Sequence, residues 1–500
     1  MRGSGWTTPA AAIATLLLFG ASPARADGDL HRVQHIIIVM QENHSFDNYF
    51  GVLAYVPGSP YHSGPCRDND HTCVDGLTCA RDEAGNLGCF NSNRDDDGSL
   101  VLAFHEPNYC VKPDLNHEWL GSHMEANYAD PRNTLRSSPN DGFVLVNDAT
   151  EQPDIGGETP TEDETMGFYT QDDLPTYYAL AQTFAINDRY FAAVLGPTFP
   201  NRAYALAATS FGHLNTLEQF PPPGGYKPIN GTILDLLDQQ SVFWINYVSD
   251  LPSTGSFRPF LSEHLRPITQ FFADAAAGQL PPVAFVDPAF GFGGVEFDEH
   301  PPSNIRAGQF FVSNVVRAVR NGPNWRDSII FITYDEHGGA YDHVRPPRAR
   351  QGHARTPDGI FPGQCADATN PVPGLGANCT FSQLDAASLC PGFTPLGPYP
   401  AGCPAFDQYG FRVPFIAVSP FAKSQYVSHT VGDHTSLLAL IEKRFLSRGG
   451  GGDEDERPHL TARDLHASTL DDLFDFHGAP SLHATIPTAP PPSPADPGCP

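Results

Sequence analysis

Two pairs of adjacent oxygen-bearing side chains, Glu42-Asn43 and Asp335-Glu336, each follow a run of apolar residues. Ile36-Ile37-Ile38-Val39-Met40 leads through Gln41 to the first pair, and Ile329-Ile330-Phe331-Ile332 leads through Thr333-Tyr334 to the second. A carboxylate beside an amide oxygen offers hard ligands to a divalent cation. Two neighbouring acids repel and raise each other's pKa unless a cation lies between them. Gly338-Gly339, just beyond the second pair, would let the backbone come close to a ligand. A hydroxyl of nucleophile type, Thr198, lies between Pro197 and Pro200 at the entrance to an Ala-rich helical stretch, and Arg202 follows four residues later. Proline fixes the backbone there, and a helix N-terminus favours an anion. His117, near the start of a helical pattern over 114–128, is placed where it could face a phosphate. Each position also has a plainer role: Glu42-Asn43 and Thr198 as helix caps, Arg202 as the partner of an acid, and His117 as a surface or capping histidine.

Both apolar runs read as strands buried on two faces, which is the pattern of a parallel sheet in an α/β protein. Ligands of such sheets bind beyond the carboxyl ends of the strands, where both pairs stand. Further strands are expected at 281–287 and 411–420, and helices at 174–184, 303–320 and 433–445. Two cysteine-bearing excursions rich in Gly, Pro, Asn and Asp interrupt this frame, at about 57–110 and 345–408, and 477–500 is a Pro-rich tail without core potential. Asn93, Asp95, Asp97 and Gly98 are similar to the start of a calcium loop, although Phe104 replaces the closing glutamate, and an ordinary acidic turn is the other reading.

Met1-Arg2, an apolar run over 10–20 and Ala24-Arg25-Ala26 together predict a secretory signal peptide over 1–26, with no later segment long enough to cross a membrane. All ten cysteines follow it, and export favours disulfides over thiol chemistry or zinc. Five of them cluster between Cys66 and Cys110. An odd count lets one bridge leave that cluster, and the isolated Cys499 is a candidate partner. The net charge of −28 argues against nucleic acid and against electrostatic adhesion to anionic membranes.

Taken together, Glu42-Asn43-His44-Ser45-Phe46-Asp47, Asn187-Asp188-Arg189, Pro197-Thr198-Phe199-Pro200-Asn201-Arg202, Glu299-His300-Pro301, the stretch from Thr333 to His343, and Asp433-His434-Thr435-Ser436 resemble one family. It is the bacterial and plant phosphoesterases that include phosphatidylcholine-type, non-specific phospholipase C and the related acid phosphatase. The resemblance spans roughly 31–446 and leaves out the two excursions. It implies an α/β sandwich similar to alkaline phosphatase around a mostly parallel sheet, and a catalytic domain over 27–476. It further implies one divalent metal held by Glu42, Asn43, Asp335, Glu336 and Thr198, with Thr198 also the nucleophile. His117 and His300 become candidates to steady the phosphoryl oxygens and protonate the leaving alkoxide, and Asn201 and Arg202 to bind the phosphate. His337 and His343 are read as holding their loop, and His434 as capping its helix. The expected substrate is a phospholipid or phosphate ester, reached by transient contact with lipid surfaces. A broad acid phosphatase of the same fold is the alternative, and a secreted non-catalytic binding protein is disfavoured by the complete ligand set.

Overall fold

The first apolar run becomes a central strand of an eight-stranded sheet in the computed structural model, which describes residues 1, 3, 30–150, 162–219, 221, 223–258, 263–350, 356–361, 366, 387, 389–392, 402–447 and 457–499, the side chains of 148–150, 162, 163, 218 and 219 excepted. The strands are β1 (His35–Gln41), β2 (Ala185–Asn187), β3 (Trp244–Val248), β4 (Leu265–Pro267), β5 (Val283–Val286), β6 (Ser328–Tyr334), β7 (Phe415–Val418) and β8 (Tyr426–Ser428), in spatial order β4-β3-β5-β1-β6-β7-β2-β8. Every pairing is parallel except the two made by β7. Successive side chains of a strand point to opposite faces, yet all seven residues of β6 are buried, as are all of β1 after His35. The sheet is therefore covered on both faces, and the expected α/β architecture with a mostly parallel sheet is the one found.

The helices Pro175–Thr183, Ile305–Asn321 and His434–Ile441 lie where periodicity places them, within a few residues. The helix expected over 114–128 is shorter, Trp119–Ala126, and leaves His117 in the loop before it. Strands β3 and β4, with helices Ile233–Gln239 and Ile268–Ala277, occupy a region in which no element was expected.

The first excursion is built of two-stranded ladders closed by Cys66–Cys73 and Cys79–Cys89. Its calcium-like residues stand in and beside a hairpin turn, where the Asn93 side chain donates to Asn140 O and Asp97 accepts from the Ser99 amide. The bridge that leaves the cluster joins Cys110 to Cys499 across 389 residues. The tail is docked as well. Ser313 donates to Pro487 O, Arg306 pairs with Asp496 at 3.0 Å, and Ala489 is buried. In the second excursion Cys390 bonds Cys403, while Cys365, Cys379 and the predicted signal peptide lie outside the described residues, except Met1 and Gly3. No described helix is long and apolar enough to cross a membrane. Thiol titration of denatured, unreduced protein taken from an oxidising compartment should find essentially no free thiol; several would contradict the bridged arrangement.

The first excursion is tied to the sheet by a fully buried arginine. Arg412 donates to Asp342 Oδ1 and Asp47 Oδ1, each at 2.9 Å, and to the Asp75 carbonyl at 2.6 Å. His343 bonds Asp47 at 2.6 Å and Asp75 at 3.2 Å, so this histidine holds its loop as expected, away from the two carboxylate pairs.

Candidate active site

Strand register brings the two pairs together. Met40 is level with Thr333 and Gln41 with Tyr334, so Glu42-Asn43 and Asp335-Glu336 leave adjacent parallel strands side by side. The amides of Asn43 and Glu336 both donate to Asp335 Oδ1, at 3.3 and 2.8 Å. Glu336 Oε2 accepts from the Gly338 amide at 2.7 Å, but Glu336 Oε1 and Asn43 Oδ1 are buried without any hydrogen-bond partner. Two orphaned oxygens at neighbouring strand ends are the donor set a hard divalent cation satisfies, and they fit the metal that the motifs imply.

Arg202 lies within this group. Its Nη2 is 2.9 Å from Glu42 Oε1 and its Nε is 3.2 Å from Asp335 Oδ2, so one guanidinium is shared between two buried carboxylates. Burial pushes Glu42 up to about 8 against the pull of Arg202, and raises Asp335 as well. Arg202 thus takes the plainer of its two expected roles, pairing with acids, and it also lines the cavity that Thr198 lines. Asn201, also expected at the phosphate, is fully buried. Its Nδ2 donates to Gly196 O and Pro197 O, and its Oδ1 accepts from the Val194 amide. This side chain clamps the turn before Thr198 and has no free group for a ligand.

Thr198 opens helix Thr198–Ala207 directly after Pro197. It lines a cavity of about 960 Å³ together with Glu42, Arg202, Asp298 and His300. Phe199, Leu251, Phe257, Phe290 and Phe292 give that cavity an apolar wall. Phe46, Tyr49 and Phe50, aromatic neighbours of the first carboxylate pair in sequence, are core residues.

His117 and His300 face each other with ring centres 5.8 Å apart. In each, Nδ1 lies against a backbone carbonyl, Leu115 O at 2.7 Å and Pro301 O at 2.6 Å, which fixes the ring. His117 Nε2 points at Asn43 Nδ2 (3.4 Å) and Glu336 Oε1 (3.9 Å). Burial opposes charge on His117, yet Glu336 and Asp114 carry its pKa up to about 10. Asp114, which the sequence reading passed over, stands 3.8 Å from His117 and 4.0 Å from His300. The spacing Asp-x-x-His was its available signal.

A second layer holds these groups. His337 bridges Glu336 (3.3 Å) and buried Glu125 (2.7 Å). His434 Nε2 lies 2.6 Å from Asp335 O, so it fastens the strand end, while Asp433 caps the helix. Glu299 accepts from the hydroxyls of Tyr49, Tyr177 and Tyr334 and from Gln41 Nε2. It turns the chain at φ 75° immediately before His300.

Gly338 and Gly339 have φ of 63° and 71°, and they admit neighbouring backbone where a ligand was expected. A Cβ on Gly338 would meet Asn43 O at 2.2 Å. Gly338→Ala should therefore destabilise the fold by about 2–5 kcal/mol, combining left-handed strain with a backbone clash. An unchanged urea-unfolding midpoint would contradict this packing.

Known proteins are similar to this chain in sequence. The model of the phosphoesterase family matches residues 33–446. Phospholipase C B of Mycobacterium tuberculosis (strain ATCC 25618 / H37Rv) is 29% identical over 494 residues, covering 93% of this chain and 81% of its own. Non-specific phospholipase C6 of Arabidopsis thaliana is 26% identical over 468 residues, covering 90% and 73%. Among solved structures, phosphonate monoester hydrolase SpPMH from Silicibacter pomeroyi superposes with a TM-score of 0.30 at 11% identity, over 54% of this chain and 68% of that one.

Proposed function

Since the chain belongs to the phosphoesterase family, we propose that it is an exported phospholipase C, which cleaves a glycerophospholipid to diacylglycerol and a phosphorylated head group. The observation that carries this reading is the cavity. Thr198 lies in the wall of an apolar chamber of about 960 Å³, a volume suited to a lipid and far larger than a small phosphate monoester needs. Charge supports it too. A diester carries one negative charge and a monoester nearly two, and the guanidinium of Arg202 is already matched by Glu42 and Asp335.

Glu42, Asn43, Asp335, Glu336 and Thr198 would hold one divalent cation, which when bound supplies Lewis-acid stabilisation of a developing oxyanion. Thr198 Oγ gives up its proton to solvent and attacks phosphorus, forming an Oγ–P bond as the bond from phosphorus to the glycerol oxygen breaks. His117 or His300 delivers the proton that oxygen needs. With a diester substrate the threonine adduct keeps the head group, and water then cleaves Oγ–P to release it as its phosphate and restore the hydroxyl. Asn201 keeps the Thr198 turn rigid, and Glu299 fixes the turn that carries His300. The catalytic unit is proposed to span 27–476, with the stapled excursions as additions outside the chemistry.

A comparison at one pH tests this reading against a broad acid phosphatase. The kcat/KM for a choline or ethanolamine phospholipid should exceed that for p-nitrophenyl phosphate by about tenfold or more, reflecting the unmatched second charge and the lost apolar contacts. A clear preference for the monoester would transfer the assignment to the phosphatase.

A further inference from the structure

Leu217, Phe292 and Val295 are 65%, 63% and 51% exposed, and they rank among the most exposed large apolar side chains of the described residues. One of the three, Phe292, lines the Thr198 cavity, and the other two are sequence neighbours of residues that line it: Leu217 follows Thr216, and Val295 precedes Glu296. The fold imposes the exposure of the aromatic turn. The Asp250 carboxylate accepts from the amides of Phe290 and Phe292 at 3.0 Å, and Phe290 bridges Glu296 across the turn. Gly291 and Gly294, at φ 82° and 76°, close the turn with a 3.0 Å bond from the Gly294 amide to Gly291 O. A phenylalanine and a valine are thereby held out in water by a pinned support.

We propose that this rim is the surface by which the protein docks onto a zwitterionic lipid bilayer. The proposal rests on the phospholipase reading, because the rim is continuous with the chamber that a lipid must enter for its phosphate to reach Thr198. Apolar side chains on a rigid turn at such an entrance bury themselves at the boundary of head groups and acyl chains. Charge selects the kind of bilayer. The chain carries −28, and Glu296 is exposed on the turn itself, so a face whose outermost charge is the choline cation is attracted and an anionic face is repelled.

Co-sedimentation of the full-length chain in a Thr198→Ala background with phosphatidylcholine vesicles tests the surface independently of turnover. The added pair Leu217→Ser and Val295→Ser should weaken partitioning by about tenfold. Incorporating phosphatidylserine should weaken binding of the parent further. In the otherwise wild-type chain the pair should cut turnover of vesicle lipid to a similar extent, while kcat/KM for short-chain phosphatidylcholine below its micelle threshold stays within about twofold. Sedimentation unaffected by the pair, or enhanced by phosphatidylserine, would overturn the proposal. So would a dimer in size-exclusion chromatography that the pair dissolves, since the rim would then be a contact between copies. Failure of the wild type to cleave the short-chain diester would defeat the phospholipase reading, whereas vesicle sedimentation would still report on the rim.

Discussion

Thr198→Ala should lower kcat by roughly 10³–10⁶-fold, the range typical of removing a covalent nucleophile, with the fold intact. The hydroxyl stands at the first residue of a helix whose N-cap is Pro197 and makes no capping bond, while Asn201 fixes the preceding turn, so its loss leaves the fold's stability nearly unchanged. Thr198→Ser should recover a substantial part of the rate, because it restores an Oγ at the same place. Steady-state kinetics with thermal unfolding separate the two effects. A rate for Thr198→Ala within a few-fold of wild type, at an unchanged melting temperature, would remove Thr198 from the chemistry.

Exhaustive chelation should abolish activity to a comparable extent, and adding back a divalent cation should restore it. Asn43 Oδ1 and Glu336 Oε1 have no hydrogen-bond partner, and burial holds Glu42 and Asp335 above the usual carboxylate range even with Arg202 beside them. Removing a cation from such a group leaves repulsion among acids that a single guanidinium offsets only in part. Protein shown metal-free by elemental analysis, yet fully active, would rule out the five-residue metal assignment.

The parts of this site that were legible in the sequence are those encoded by local pattern. Parallel strands buried on both faces read as apolar runs, and the change to polar residues marks their carboxyl ends, so Glu42-Asn43 and Asp335-Glu336 could be singled out. Pro197-Thr198 and Gly338-Gly339 announced unusual backbone in the same way. Sequence could not show which partner each side chain would choose. Asn201 turns back to its own backbone, Arg202 pairs with acids contributed from 160 and 133 residues away, and Gly338 and Gly339 admit Asn43 and the Leu115-Asn116 segment in place of a ligand. Strand β3 escaped notice because polar Asn246 interrupts it, and that residue is satisfied by partners outside its own strand: its Nδ2 donates to Asp287 and the Phe285 carbonyl, and its Oδ1 accepts from Thr254. Arg412, fully buried on four acceptor residues, looks from sequence like any surface arginine.

The central claim is that Thr198 attacks a lipid phosphodiester and expels the diacylglycerol side. Mass analysis of the products formed from phosphatidylcholine by the metal-loaded protein tests it most directly. Diacylglycerol and phosphocholine should appear in equal amounts, and both should vanish with Thr198→Ala; phosphatidic acid with free choline, or no lipid turnover alongside brisk release of phosphate from monoesters, would contradict it.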